Sequence, residues 1–400
     1  MGADVGSSRR LTSRERIVGV LRHQGPMSRA EISRHLSLSR ATVSAVLNDL
    51  LSEGYVVEEA LDRTRVPTGH TGRPPLIVRL DRSAGAALGI DFGKRHLRVA
   101  LADLGHQILA ERTLEMDPDH NAARGMEVAA GLVQEVLEEA AVARSAVVGV
   151  GMGLPGPVNQ VSGELGSSTI LPGWVGIRAE PAMTQRLGLP VHVDNDANLG
   201  ALAEWTWGAA VGCANVAYLK VATGIGAGLI LDGRQFRGAG GTAGEIGHTI
   251  IDPNGPVCRC GNRGCLETLV GASALLELLR PALGPLTLHE VLVKAEAGDA
   301  ACRRVIADAG TAIGSAAATL CNLFNPERIV VGGDLGMAGE LLVSPIRDAL
   351  QRAAIPSAAA DVDVVPGLLH ERAEVLGAIA LILRGREQGS QAGATLEVVA

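Results

Sequence analysis

The sequence predicts a winged helix-turn-helix module joined to a larger α/β body whose two halves face one cleft. Three observations carry that expectation. Residues 1–80 read as helix, helix, tight turn, helix and a short strand pair. From about residue 84 strands alternate with helices, the pattern of an α/β fold. Two hairpin-plus-glycine units then recur, at 86–103 and 215–232. A chain of 400 residues is long enough for two to three domains of roughly 100–200 residues each. With 47% hydrophobic and 20% charged residues it is not largely disordered. Aromatics at 2% argue against a stacking platform for single-stranded nucleic acid.

In the first module Ser13 is placed to cap RERIVGVLRHQ, with Ile17, Val20 and Leu21 on one face and Gly25-Pro26 closing it. Ser28 with Glu31 three residues on forms a capping-box pattern for RAEISRHL, whose inner face is Ile32 and Leu36. Ser39 opens the third helix, where Val43, Val46, Leu47, Leu50 and Leu51 recur at helical spacing before Gly54. Its N-terminal end carries Ser39, Arg40, Thr42 and Ser44 off that apolar stripe, free to reach bases or phosphates in a major groove. Arg40 suits a guanine edge, because its planar fork pairs in two places. Arg73, in Gly72-Arg73-Pro74-Pro75, sits on a stiff extended segment suited to a narrow minor groove.

Charge supports the same division. Residues 1–80 hold twelve Arg and no Lys against eight Asp or Glu, a balance of +4 on a chain of net charge −7. A basic module on an acidic body fits a polyanion partner. The N-terminal MGADVGSSRRLTSRER lacks the apolar stretch of a secretory signal. The apolar run from Val375 to Leu383 is too short to span a bilayer. A cytoplasmic protein with no membrane partner is expected.

In the body, Gly93-Lys94-Arg95 joins two apolar runs into a hairpin. Residues 121–141 form a helix with Met126, Ala129, Leu132, Val133 and Val136 on one face. AVVGVGMGLPGPV and LPVHVDNDAN read as buried strands, the second running into a carboxylate-bearing loop ahead of LGALAEWTWG. NVAYLKVATGIGAGLILDG is the second hairpin, 301–324 a long helix, ERIVVGGDLG a strand into a Gly turn, and RAEVLGAIALILRG a closing apolar helix.

Three of the six cysteines, Cys258, Cys260 and Cys265, fall within eight residues, and with His248 they offer one imidazole and three thiols. That set closes a tetrahedral Zn²⁺ site with no position left for water, so a structural ion is expected. Asp196, at the end of a strand, can accept hydrogen bonds from hydroxyls or take the proton from a hydroxyl that attacks a phosphate. Asp194 and Asp196 alternate along extended chain and point to opposite sides.

The stretch GAGGTAGEIGHTIIDPNGPVCRCGNRGCLE, Gly238 to Glu267, resembles the signature of the ROK family (repressors, open reading frames and sugar kinases). The likeness covers roughly 84–385, and the preceding winged helix matches the family's repressor branch. It implies the two-lobed actin-like fold of sugar kinases, with lobes at about 84–198 and 199–385 and a tail at 386–400 without an assigned role. It also implies a sugar site of Asn195, Asp196, Glu245, His248, Glu267 and Gly153, with His248 serving both zinc and sugar and Asp196 as the base of any kinase reaction. Gly153 and Gly156 would let backbone approach the sugar, whereas the run Thr169-Ile170-Leu171-Pro172-Gly173-Trp174 lacks the Asn that the family often places shortly before that loop's aromatic.

For ATP with Mg²⁺ the resemblance points to Asp91, Gly93, Thr223, Gly224, Gly226, Gly332 and Gly333. The first phosphate turn departs from the family's Asp-x-Gly-x-Thr: Arg95 replaces Thr beside Lys94, two cations expected to crowd it. The expectation is a sugar-responsive regulator, a homodimer or homotetramer that represses from operator DNA, with an ATP-dependent hexose kinase as the alternative.

Overall fold

The computed structural model describes residues 12–60, 76–81, 85–117, 120–159, 162–166 and 170–387. Arg73 and the 388–400 part of the tail lie outside them.

The first module is three helices, α1 (Ser13–Gln24), α2 (Arg29–Leu36) and α3 (Arg40–Ser52), and an antiparallel pair, β1 (Val56–Ala60) and β2 (Leu76–Leu80). The Ser28–Glu31 capping box forms in both directions. The first helix starts one residue differently from expectation. The Arg16 N–H donates to the Thr12 carbonyl, which puts Thr12 at the cap and Ser13 in the first turn. Ile17, Val20, Leu21, Ile32, Val43, Leu47 and Leu50 are buried together as the periodicity requires. Arg29 ties the module across its face, pairing with Glu58 at 2.9 Å and Asn48 at 3.1 Å.

The body opens with β3 (Ala86–Phe92), β4 (His96–Asp103) and β5 (Ile108–Glu115), followed by α4 (Ala122–Glu139), β6 (Val147–Leu154), α5 (Ala179–Leu187) and β7 (Val191–Asn195). Helix α6 (Asp196–Trp207) leads to a second set, β8 (Val216–Val221), β9 (Ile225–Leu231) and β10 (Arg234–Phe236). Four helices follow: α7 (Leu266–Val270), α8 (Ala272–Leu283), α9 (Leu288–Glu296) and α10 (Ala300–Phe324). Then come β11 (Arg328–Gly332), α11 (Glu340–Ala353), α12 (Pro356–Ala359), β12 (Asp363–Pro366) and α13 (Ala373–Glu387).

The two sheets repeat one plan. Their orders are β5-β4-β3-β6-β7 and β10-β9-β8-β11-β12. In each, a three-strand antiparallel meander is extended from its first strand by two parallel strands. The recurring hairpin in the sequence is therefore the start of a repeated half.

One core lies between the first sheet and α4, and another between the second sheet and α8, α10 and α11. Helices α6 and α13 form the layer between the sheets. The expected lobe boundary at 198/199 needs correction here. Helix α13 follows the second lobe in sequence but packs on β3 and β6 of the first, with Ile379 and Ile382 over Gly89 and Gly149. The first lobe is thus discontinuous in sequence, because α13 supplies apolar cover for that face. Among the described residues no single helix is long and apolar enough to cross a membrane.

The closest approach of the two central helices is at Gly377, where a Cβ would overlap the backbone of Leu199. Gly377→Ala gains about 1 kcal/mol of helix propensity but forces α6 and α13 apart. We expect a net loss of about 1–3 kcal/mol, read as a lower urea midpoint with the slope unchanged. An unchanged or higher midpoint contradicts that packing.

Candidate functional site

A cleft between the lobes, about 460 Å³, gathers side chains from distant parts of the chain. Asn195, Asp196, Glu245, His248 and Glu267 all line it, with Gly156 on the same wall at φ 113°. Gly153, expected beside them, is not among the lining residues. A Cβ there would meet Leu199 and the carboxylate of Asp91, so the residue sits behind the wall.

Asn195 ends β7 and caps α6. Its Oδ1 accepts from the N–H groups of Ala197 and Asn198, and its Nδ2 donates to the Gly156 carbonyl at 2.9 Å. The cap fixes the next residue, Asp196, at the first position of the helix and aims it across the cleft. Asp194, one residue before the cap, points the other way and is buried. It accepts from Arg237 at 2.6 Å and from Gln235 at 3.2 Å, both in the second lobe.

Asp196 is not free. The ammonium of Lys220, on β8, donates to its Oδ2 at 2.8 Å and lies 3.3 Å from Glu374 Oε1 at the start of α13. Burial opposes charge on Lys220, but Asp196, Glu374 and Asp91 together hold its pKa well above the ordinary lysine value. Burial pushes Glu374 up to about 7, with Lys220 opposing and Asp91 and Asp196 adding to the rise. Sequence reading passed over Lys220, although one charge inside the apolar run VAYLKV, next to a Gly-rich turn, was a visible signal.

The remaining wall comes from the segment before α7. Burial, with Asp196 and Glu267 nearby, pushes Glu245 up to about 7. Glu267 accepts from Arg259 at 2.5 Å, and this arginine was also missed. His248 faces both ways: Nδ1 is 3.6 Å from the Cys258 sulfur and Nε2 is 4.0 Å from Glu245 Oε2. The candidate ligand atoms of His248, Cys258, Cys260 and Cys265 lie within 4.8 Å of one another, a cluster that could hold a metal ion.

Of the phosphate-turn residues, Gly93, Thr223, Gly224, Gly226 and Gly333 line the cleft. Asp91 is buried below it, and Gly332 packs against the Tyr218 ring. Arg95 is exposed and lines the cleft together with Lys94, beside the first turn. The side chain that covers the turn itself is His96. Its ring covers Gly93 so closely that a Cβ would overlap it, and its Nε2 is 2.9 Å from Asp91 Oδ2.

On the first module, Arg40 is exposed at the start of α3. Ser39 is partly occupied in capping, accepting from the Thr42 N–H at 3.0 Å and sharing a hydrogen bond with the Thr42 hydroxyl at 2.8 Å. Ser44 is half-buried, and its carbonyl lies 3.5 Å from Arg29.

With this geometry in view, comparison with known proteins is direct. Residues 87–385 match the ROK family and residues 16–65 the MarR family. The chain belongs to the ROK family. It is 30% identical over 371 residues to a xylose repressor of Caldicellulosiruptor bescii, covering 89% of this chain and 92% of that one. A glucokinase of Thermotoga maritima is 31% identical over 312 residues, covering 74% and 96%. The crystal structure of a ROK family transcriptional regulator, a homologue of the E. coli Mlc protein, superposes with TM-score 0.77 at 27% identity, covering 94% and 96%.

The Asp91–His96 pair gives a pH signature. Burial opposes charge on both, but their mutual hydrogen bond and attraction outweigh it, lowering Asp91 and raising His96. The His96 share of stability is fully present below its unfolded pKa and is lost as pH rises through its raised folded value. The Asp91 share is lost only on acidification through its lowered folded value. We therefore expect the stability difference between wild type and His96→Gln to peak at about pH 5–6 and to shrink above about pH 7. A difference that is flat in thermal midpoint from pH 5 to 8 contradicts the ion pair.

Proposed function

We propose that this chain is a sugar-responsive transcriptional regulator. It binds double-stranded operator DNA through α3 and represses genes of carbohydrate metabolism, with a sugar or sugar derivative in the cleft as effector. The observation that carries the reading is the convergence of Asn195, Asp196, Glu245, His248 and Glu267 on one cleft in a chain that also holds a winged helix. The xylose repressor and the Mlc homologue support it by covering both parts of the chain. A cytoplasmic location and a homodimer or homotetramer belong to the same proposal, since a two-fold assembly presents two α3 helices to pseudo-palindromic half-sites.

Carboxylates and amides suit a polyhydroxylated ligand because each accepts or donates to a hydroxyl in a fixed direction. Asp196 serves as an acceptor here. A base for phosphoryl transfer needs its carboxylate facing the attacking hydroxyl, and Lys220 already holds one oxygen. The kinase alternative rests on the Thr223–Gly226 turn, which still lines the cleft and on which ATP with Mg²⁺ would sit, and on the glucokinase relative. Incubation with ATP, Mg²⁺ and the bound sugar separates the two readings. No phosphorylated sugar is expected, and multiple turnover would favour the kinase.

For the metal cluster we propose a structural Zn²⁺. Ligands about 2.0–2.3 Å from a tetrahedral zinc lie about 3.3–3.8 Å apart. The His248–Cys258 and Cys260–Cys265 separations of 3.6 Å fit that spacing. Four protein ligands close the ion to water, so it supplies cross-linking rather than Lewis-acid chemistry. The residues it fixes are His248 and the segment leading to Glu267. Metal analysis is expected to find one zinc per chain, and Cys258→Ser to lose both the zinc and sugar binding. Full sugar binding by the metal-free variant contradicts this role.

The regulator itself is tested by retention of genomic fragments at low and moderate salt, with D-xylose, D-glucose and N-acetyl-D-glucosamine as probes. Selective fragments that survive moderate salt and respond to one sugar are expected. Uniform retention that vanishes at moderate salt indicates phosphate contact alone and defeats the reading. Arg40→Ala should cost about 1–3 kcal/mol on a selected operator and relax preference at one base pair.

A further inference from the structure

Carboxylates from three elements approach one ammonium between the lobes: Asp196 from α6, Glu374 from α13 and, below them, Asp91 from β3. The ammonium belongs to Lys220 on β8, which is in the second lobe, whereas Asp91 and α13 belong to the first. Asp196, Lys220 and Glu374 all line the cleft, and Glu374 lies in the first turn of α13, which leads away from it. From Glu374, α13 runs beside α6, in backbone contact at Gly377 and with the Arg384 guanidinium 3.9 Å from the centre of the Trp205 ring. Val375, Leu376, Ile379, Ile382 and Leu383 of α13 share one apolar cluster with α1 and α3 of the winged helix.

We infer that Lys220 is a coupling latch, a positioning residue through which occupancy of the cleft is passed to the DNA-binding module by α13. An effector hydroxyl that donates to Asp196 competes with Lys220 for the same carboxylate. The ammonium then leans toward Glu374 and Asp91, and because it sits on the second lobe, that exchange favours a different lobe angle. Helix α13 is held at Glu374 and shares an apolar cluster with α1, so a shift at its start is passed to the winged helix. The effector acts only if it binds one of the two arrangements better. The latch rests on the proposed function, since it needs both an effector and an operator.

The test uses the full-length chain and an operator selected from random duplexes, with the three sugar probes above at saturation. The readout is the ratio of operator affinity without and with sugar. Wild type is expected to show a change of about tenfold or more, within the usual range of allosteric coupling. Lys220→Met keeps the length of the side chain and removes its charge. It should reduce the ratio to within about twofold while sugar still saturates in calorimetry.

Glu374→Gln removes the second carboxylate within reach of the ammonium and leaves Asn195, Asp196, Glu245, His248 and Glu267 in place. It should do the same, and it carries the test if Lys220→Met does not fold. A wild-type ratio in either variant overturns the latch and leaves the regulator standing. Loss of sugar binding in both overturns it too, because Lys220 would then act on the ligand rather than between sites. A wild-type protein whose operator affinity responds to none of the sugars overturns the functional reading, and the latch with it.

Discussion

The body depends on one steric constraint: two helices, α6 and α13, must lie against each other and against opposite sheets within backbone contact distance. Glycines make that possible. A Cβ at Gly89 or Gly151 would overlap the backbone of α13, one at Gly228 the backbone of α6, and one at Gly377 the α6 backbone at Leu199. Interiors are packed too tightly to absorb such groups without movement of whole elements. Because this layer is so thin, Asp196 and Glu374, in the first turns of the two helices, come within reach of a single lysine. The chemistry of the cleft follows from that closeness.

Charge at this layer specifies geometry more than it adds stability. The Lys220 and Arg237 pairs are largely removed from water, and the cost of desolvating both partners offsets much of their attraction. What they contribute is direction. Arg237 holds Asp194 away from the cleft while the Asn195 cap turns Asp196 into it. Two carboxylates two residues apart thus take different places, one tied to the second lobe and one turned into the cleft.

Much of this was legible in the sequence, and the limits have physical causes. Periodicity found α4 and the winged-helix core because their apolar faces are continuous. The repeated hairpin found the two halves, and the His248–Cys258–Cys260–Cys265 spacing found the cluster because its ligands sit on one short segment. Strands β5, β10 and β12 were not legible. They are edge strands, short or with mostly polar exposed faces, so neither length nor alternation marks them. The placement of α13 on the first lobe is purely tertiary. Its sequence says only that it is apolar, not which sheet it covers. His96 in place of Arg95 as the group that fills the first turn likewise depends on rotamer and strand register, which residue identity does not carry.

Sensor and kinase share this scaffold, and the difference comes down to what already occupies the reacting positions. Phosphoryl transfer needs an open phosphate turn and a carboxylate free to take a proton. Here the His96 ring lies on the Gly93 turn and Lys220 is bound to Asp196, whereas the wall of Asn195, Glu245, His248 and Glu267 lines the cleft. Under the proposed function, the wall that would bind a sugar stays open while the turn and the carboxylate that a transfer would use are engaged by the protein's own side chains. Under the proposed function, an effector that binds one lobe arrangement better than the other is what would move α13, and with it the helices expected to face DNA.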